Sequence, residues 1–293
     1  DNLSTGHRKL INKKAKFFKL DIHRKDKVRK IIKKSKIDSI IHLAANLIIG
    51  EGQRKPKKYF KNNVLGTKNL LDACKDTTVK NFIFSSTAAI YKEGQYKVSE
   101  KSKIKPKSIY GKTKIKAENL IKNFSKKNKI NYGILRYFNI AGSSPSGKIG
   151  LINKNSDHLF KNYSIEILKK KPKLKIYGTN YKTKDGSCIR DFIHVSDIAE
   201  IHYLVLEKIN KLNISKILNC GYNEGTSVLQ VAKEFKRQSS KKVNIIETKR
   251  RSNDLIKIIA SNNNLKKFIN WKPKFNNLGK IVKSCIVWEK KIR

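Results

Sequence analysis

The sequence predicts an α/β fold built on a doubly wound parallel sheet, followed by a smaller C-terminal α/β region. Three observations carry that expectation. Short, mostly apolar runs at Lys16–Leu20, Ile37–Leu43, Val79–Phe84 and Tyr132–Leu135 read as strands, and strands that are apolar along their length are buried on both faces. Segments of helical period, Tyr59–Cys74 and Tyr110–Phe124, alternate with them, the order of right-handed βαβ units. After Gly142 the texture changes, because Ser143-Ser144-Pro145-Ser146-Gly147 is a loop and the elements that follow read as shorter and more irregular. Residues 1–142 are therefore expected to form the sheet domain. Residues 143–293 are expected to form the second region, packed at the carboxyl edge of the sheet, with some segments returning to it.

Composition narrows the function classes. The 293 residues carry 68 Lys and Arg against 22 Asp and Glu, a formal charge of +46, and contain no Met. A chain without Met reads as an internal or processed segment, and its length suits about two domains. Clustered basic charge would suggest a nucleic acid or an anionic membrane. Here Lys is scattered from Lys9 to Lys291 and only ten residues are Arg, whereas base and phosphate recognition favours the Arg fork. The excess reads as a solvated surface on which lysine stems lie flat, with Lys13–Lys16 and Lys169–Lys175 as patches for non-specific polyanions. Cys74, Cys188, Cys220 and Cys285 lie far apart with no C-x-x-C pair, which argues against zinc or a disulfide framework and suits a reducing cytoplasm. No apolar run approaches 18 residues, so no spanning helix is expected.

The local signal for chemistry is Ser108-Ile109-Tyr110-Gly111-Lys112-Thr113-Lys114 at a helix start. Tyr110 and Lys114, four apart, share one helical face. An ammonium beside a phenol favours the phenolate and would bring a pKa of about 10 towards working pH. Upstream, the strand Asn81-Phe82-Ile83-Phe84 ends in Ser85-Ser86-Thr87, which puts hydroxyls at the carboxyl end of a parallel strand, where open α/β sheets bind ligands. His194 lacks a second metal ligand at suitable spacing and reads as a packed or hydrogen-bonded histidine, so no metal site is expected.

A Ser or Thr with a Tyr and a Lys four residues on is the catalytic set of the short-chain dehydrogenases/reductases. The chain resembles their extended branch, and within it the UDP-glucose 4-epimerase (UDP-galactose 4-epimerase) family, from Asp1 to about Trp288. The motifs that carry the resemblance are Phe82-Ile83-Phe84-Ser85-Ser86-Thr87-Ala88-Ala89-Ile90-Tyr91, Leu135-Arg136-Tyr137-Phe138-Asn139-Ile140-Ala141-Gly142 and Asp185-Gly186-Ser187-Cys188-Ile189-Arg190-Asp191-Phe192-Ile193-His194-Val195-Ser196-Asp197. Ile40-Ile41-His42-Leu43-Ala44-Ala45, Asn62-Asn63-Val64 and Arg250-Arg251 join them.

The resemblance implies a Rossmann-type fold, NAD as cofactor, a homodimer paired through helices including the one that bears Tyr110, and 4-epimerisation of a UDP-hexose by transient oxidation at C4. Tyr110 would take the 4-hydroxyl proton, Thr87 would hydrogen-bond the 4-oxygen, and Lys114 would hold nicotinamide-ribose hydroxyls. Asp1 and Asn2 would lie at the adenosine ribose, and Asp21 and Ile22 would flank the adenine. Leu43, Ala44, Ala45, Asn63, Ser85 and Tyr137 would line the rest of the cofactor. Such enzymes cradle the pyrophosphate in a Gly-rich turn. This sequence holds no such turn, so the first βα unit is expected to be missing and NAD to bind poorly. For the substrate the resemblance implies Asn139, Arg190 and Arg251 at the diphosphate, Asp254 at the uridine ribose, Lys175, Ile176 and Tyr177 beside uracil, and His158 and Leu159 at the sugar nucleotide. For Arg190 an ordinary pairing with Asp191 is the rival role.

Three departures matter. Thr87 stands where Ser is frequent, Leu47 where many members carry a cofactor-contacting Lys, and Ile258 at the position whose bulk governs entry of N-acetylated sugars. Related dehydratases place an Asp-Glu pair after their Thr, and this chain has Ala88 and Ala89 there, so elimination would lack its acid and base. Epimerases of other UDP-sugars, such as N-acetylhexosamines or glucuronate, and a polyanion-binding or degenerate reductase-fold protein stay as alternatives.

Overall fold

The computed structural model describes residues 1–153, 156–251 and 254–293. Its contacts divide the chain into two units, one of residues 1–92, 104–136 and 202–218, the other of residues 93–103, 137–201 and 219–293. The division follows no single break in the sequence, because the chain changes unit several times, for example between Arg136 and Tyr137.

The first unit is built on a sheet whose strands run in the order Ser39–His42, Asn81–Thr87, Asn131–Tyr137, Lys216–Cys220. Ser39 to His42 pair in parallel with Asn81 to Phe84. One face is covered by the helices Lys25–Lys34, Gly66–Cys74 and Ile109–Asn128, with Ile32, Leu70, Leu71, Phe82, Phe84, Ala117, Ile121 and Ile134 in a single core cluster. On the other face Val205 and Ile209 approach Gly133 so closely that a Cβ there would lie 3.0 Å from Val205 and 2.6 Å from Ile83. The inner strands Asn81–Thr87 and Asn131–Tyr137 are buried on both faces over most of their length, which is why they lack polar alternation, whereas Ile41 of the edge strand is exposed.

The expected strand at Lys16–Leu20 is absent. A strand needs a ladder partner, and this run is bonded to Asp1, whose carbonyl accepts from the Leu20 amide at 3.0 Å, without a ladder forming. The expected helix over Tyr59–Cys74 is helical throughout, although it opens into a π-helical stretch at Phe60–Leu65 before resuming at Gly66.

The second unit carries a four-stranded sheet in the order Thr226–Ser227, Ile189–Arg190, Lys257–Ala260, Lys97–Val98, and two strand pairs. Lys173–Tyr177 runs parallel to Asn244–Thr248, and Asn139–Ala141 parallel to Phe192–His194. The helices Leu159–Ile167, Val228–Arg237 and Leu278–Ile292 pack on one another, with Phe160, Tyr163 and Phe235 in edge-on contact. Elements after Gly142 are not uniformly short, since Val195–Leu212 spans 18 residues and Leu278–Ile292 spans 15.

Candidate functional site

In the first unit the Tyr110 helix begins where the Ser85 strand ends. Ser108 caps it, its hydroxyl accepting from the Gly111 amide at 3.0 Å. Gly111 allows the approach, because a Cβ there would sit 2.5 Å from the Ala89 carbonyl oxygen. Thr87 closes the strand and caps the short turn Ala88–Ile90, its Oγ1 accepting from the Ala89 amide at 3.2 Å. Lys114 is fully buried and donates from Nζ to the Ser85 carbonyl at 2.7 Å. The same Nζ lies 4.8 Å from the Phe84 ring centre and 5.8 Å from that of Tyr110.

The electrostatics differ from the expectation in one respect. Burial pushes the Tyr110 phenol up to about 12, and a hydrogen bond from Thr87 only partly opposes it. Lys114 does not pull Tyr110 down here. Burial also pulls the Lys114 ammonium down to about 7, with Glu118 acting the other way. Losing water is costly for either charged form, so the two neutral forms are favoured together.

Asn63 sits in the π-helical stretch and is buried. Its Oδ1 accepts from the Asn46 amide at 2.8 Å, and its Nδ2 donates to the Asn46 carbonyl at 3.0 Å and to Thr113 Oγ1 at 3.1 Å. Thr113 in turn donates to the Tyr110 carbonyl at 2.8 Å. One amide thus ties the loop after the first strand to the first turn of the Tyr110 helix, and π turns often mark such sites. In that loop Leu43 and Ala44 are exposed, Ala45 is half-buried and Leu47 is exposed. At the amino end Asn2 Nδ2 donates to Asp21 Oδ2 at 2.8 Å, while Asp21 Oδ1 accepts from the His23 amide, and both bonds hold its carboxyl below the usual range. Asp1 is exposed, its Oδ1 accepting from the Leu3 amide at 2.5 Å. Ile22 packs over Gly66.

Tyr137, half-buried, ends the third strand of the sheet. In the second unit the Asn139 amide donates to the Asp191 carbonyl at 2.9 Å. Arg190 does not pair with its neighbour Asp191. The Asp191 carboxylate is fully buried among the amides of Tyr222, Asn223 and Ala260, and burial lifts it to about 6. Arg190 instead reaches Asp254, Nη2 to Oδ1 at 3.2 Å. Arg251 lies over the Tyr177 ring, its guanidinium carbon 3.8 Å from the ring centre. Ile176 faces the core and Lys175 is exposed, so of these three neighbours Lys175 and Tyr177 present side chains outside the core. His158 is exposed at the start of the helix that Leu159 opens. His194 is buried, accepts from the Ser196 amide at Nδ1 and stacks on Phe275 at 4.5 Å. The four cysteines are free and buried.

The sequence reading assigned no role to one group beneath the site. Ser86, Glu118, Arg136 and Tyr91 form a buried polar cluster around the bidentate Glu118–Arg136 pair. The available signal was Glu118, four residues after Lys114 on the face already marked by Tyr110.

Residues 1–221 match the NAD dependent epimerase/dehydratase family. A UDP-glucose 4-epimerase of Lactobacillus helveticus is 35% identical over 99% of this chain and 88% of its own length. The structure of a UDP-glucose 4-epimerase from Brucella ovis in complex with NAD superposes with a TM-score of 0.93 at 31% identity, covering 98% of this chain and 88% of the other. The UDP-Glc/GlcNAc 4-epimerase from Campylobacter jejuni superposes with a TM-score of 0.85 at 36% identity, covering 99% and 90%.

Proposed function

The chain belongs to the NAD dependent epimerase/dehydratase family, and on that footing we propose that it interconverts UDP-galactose and UDP-glucose by NAD-dependent epimerisation at C4. The observation that carries this reading is the Tyr110–Lys114 pair on one helical face beside the Ser85–Thr87 strand end. When bound, NAD would supply a hydride acceptor for C4 and a positively charged nicotinamide ring.

The residues fit one end of that cofactor. Lys114, already donating to the Ser85 carbonyl, has further ammonium protons for ribose hydroxyls, and the exposed Leu43 and Ala44 offer apolar cover. Asn2 and Asp21 sit together as an adenosine-binding pair. For the pyrophosphate the 293 residues supply no Gly-rich turn. Tyr110 takes the proton of the sugar 4-hydroxyl as general base and returns it. The phenol that burial lifts to about 12 needs added positive charge to do so, which the nicotinamide ring would supply. Thr87 hydrogen-bonds the same oxygen. Arg190 and Arg251 bind the diphosphate with their planar forks, Asn139 adds a polar contact, Asp254 accepts from the uridine ribose, and Tyr177 stacks beside uracil with His158, Leu159, Lys175 and the backbone of Ile176 around it.

A second substrate reading comes from Ile258, buried and paired in register with Arg190: its branched side chain sets the room for an N-acetyl group. The enzyme works in the cytoplasm as a homodimer, which would sediment at twice 33.7 kDa. The test is incubation of the chain with NAD and UDP-galactose, or UDP-N-acetylgalactosamine, without reductant. Formation of the 4-epimer is expected. A folded, NAD-saturated chain that converts neither sugar refutes the proposal.

A further inference from the structure

Tyr110, Lys114 and Glu118 are spaced by four along one helix, so they stack on one face. Glu118 is completely buried, and both of its oxygens accept hydrogen bonds. Oε1 accepts from Ser86 Oγ at 2.5 Å and from Arg136 Nε at 3.0 Å, and Oε2 from Arg136 Nη2 at 2.8 Å. Arg136 also donates from Nη1 to the Tyr91 hydroxyl at 3.0 Å. Ser86 lies between the two residues that meet the reactive pair: the Ser85 carbonyl accepts from Lys114, and Thr87 hydrogen-bonds Tyr110.

We propose that Glu118 is a positioning residue of this site, tying the Ser85–Thr87 strand end to the Tyr110 helix through Ser86 and supplying the negative charge that the buried Lys114 otherwise lacks. The proposal rests on the assignment of Lys114 to the reaction centre. A buried ion pair adds little net stability over apolar residues of the same volume, so its presence one helical turn below Lys114 calls for another use. Among the described residues, the other groups shown around Lys114 supply no carboxylate. From the first strand His42 is buried, donates to or accepts from Thr67 Oγ1 at 2.9 Å, and is held neutral with its pKa pulled down to about 3. The Ser85 strand offers the Ser85 carbonyl and the Phe84 ring, and the same helix offers the neutral phenol of Tyr110. Arg136, on the Asn131–Tyr137 strand, is a second cation on the same carboxylate, so Glu118 faces both Arg136 and Lys114.

The test uses the full chain labelled with [ε-13C]lysine and titrated by NMR, without cofactor or sugar. One lysine resonance titrates near neutrality and is absent from Lys114→Met. In Glu118→Gln it titrates about one pH unit lower, the size of effect a lost opposite charge produces. Glu118→Gln leaves Arg136 buried and unpaired. The double variant Glu118→Leu with Arg136→Met, which leaves neither charge behind, therefore serves as the second arm and shifts the resonance the same way. In Ser86→Ala the resonance stays in place while turnover with NAD falls about tenfold at unchanged KM, the loss expected from misaligned reacting groups. A Lys114 resonance that titrates at the parent's pH in both Glu118 variants overturns the proposal. So does the absence of any lysine titrating below about pH 9 in the parent. A parent with the expected titration and no epimerase turnover would instead count against the substrate reading alone.

Discussion

Lys114 should cost this protein stability at neutral pH, and Lys114→Met should recover it. The folded chain holds the ammonium at about 7, against an ordinary 10.5, so between those values the unfolded chain binds more protons and stability rises with pH. The side chain is fully buried, so solvent does not dilute the effect. At 1.36 kcal/mol per pH unit of difference, burial of the ammonium destabilises by about 5 kcal/mol at pH 6 and by about 1 kcal/mol at pH 10. Methionine has no charge to bury but leaves the Ser85 carbonyl without the donor now 2.7 Å away, a loss of about 1–3 kcal/mol. Lys114→Met is therefore expected to be more stable than the parent by about 2–4 kcal/mol at pH 6 and no more stable, or less stable, at pH 10. Urea unfolding of both chains at pH 6, 7, 8, 9 and 10 reads the difference directly. A stability difference that stays constant across that range refutes the argument, because only titration of Lys114 makes it vary.

Three further outcomes follow from the geometry. Tyr110→Phe should lower turnover by at least the factor of about 10²–10⁴ typical of a general base, with UDP affinity measured calorimetrically left within about twofold of the parent. Arg251→Ala should weaken UDP binding about tenfold or more, since it removes a guanidinium suited to two phosphate oxygens; unchanged calorimetric affinity would remove Arg251 from the site. Glu289→Gln should cost about 3–5 kcal/mol in urea unfolding, because it strips the partner from Lys161, a buried ammonium now 2.6 Å from the Glu289 carboxylate.

Where the site was legible in the sequence, short-range rules apply. Tyr110 and Lys114 had to share a face because a helix repeats every 3.6 residues, and Ser85-Ser86-Thr87 had to end a buried strand because the residues before it are apolar without alternation. Asn63 stood out as part of a motif, yet its double bond to the Asn46 backbone is a contact across 17 residues that no local pattern encodes. Arg190 shows the same limit. Proximity in sequence offered Asp191 as a rival partner, but Asp191, between two short strands, is spent on backbone amides while Arg190 reaches Asp254.

The sequence by itself determined the parallel α/β order, the placing of Tyr110 and Lys114 on one helical face and the reading of the charge of +46 as dispersed lysine, since periodicity and composition act within a few residues or over the whole chain. Only the tertiary structure decided that Lys16–Leu20 forms no strand, that burial drives Tyr110 and Lys114 towards their neutral forms, and that Glu118 and Arg136 lie beneath them. The physical reason is common to all three. Ladder partners, loss of water and buried charge pairs depend on which distant segments meet, and that is a property of the packed chain.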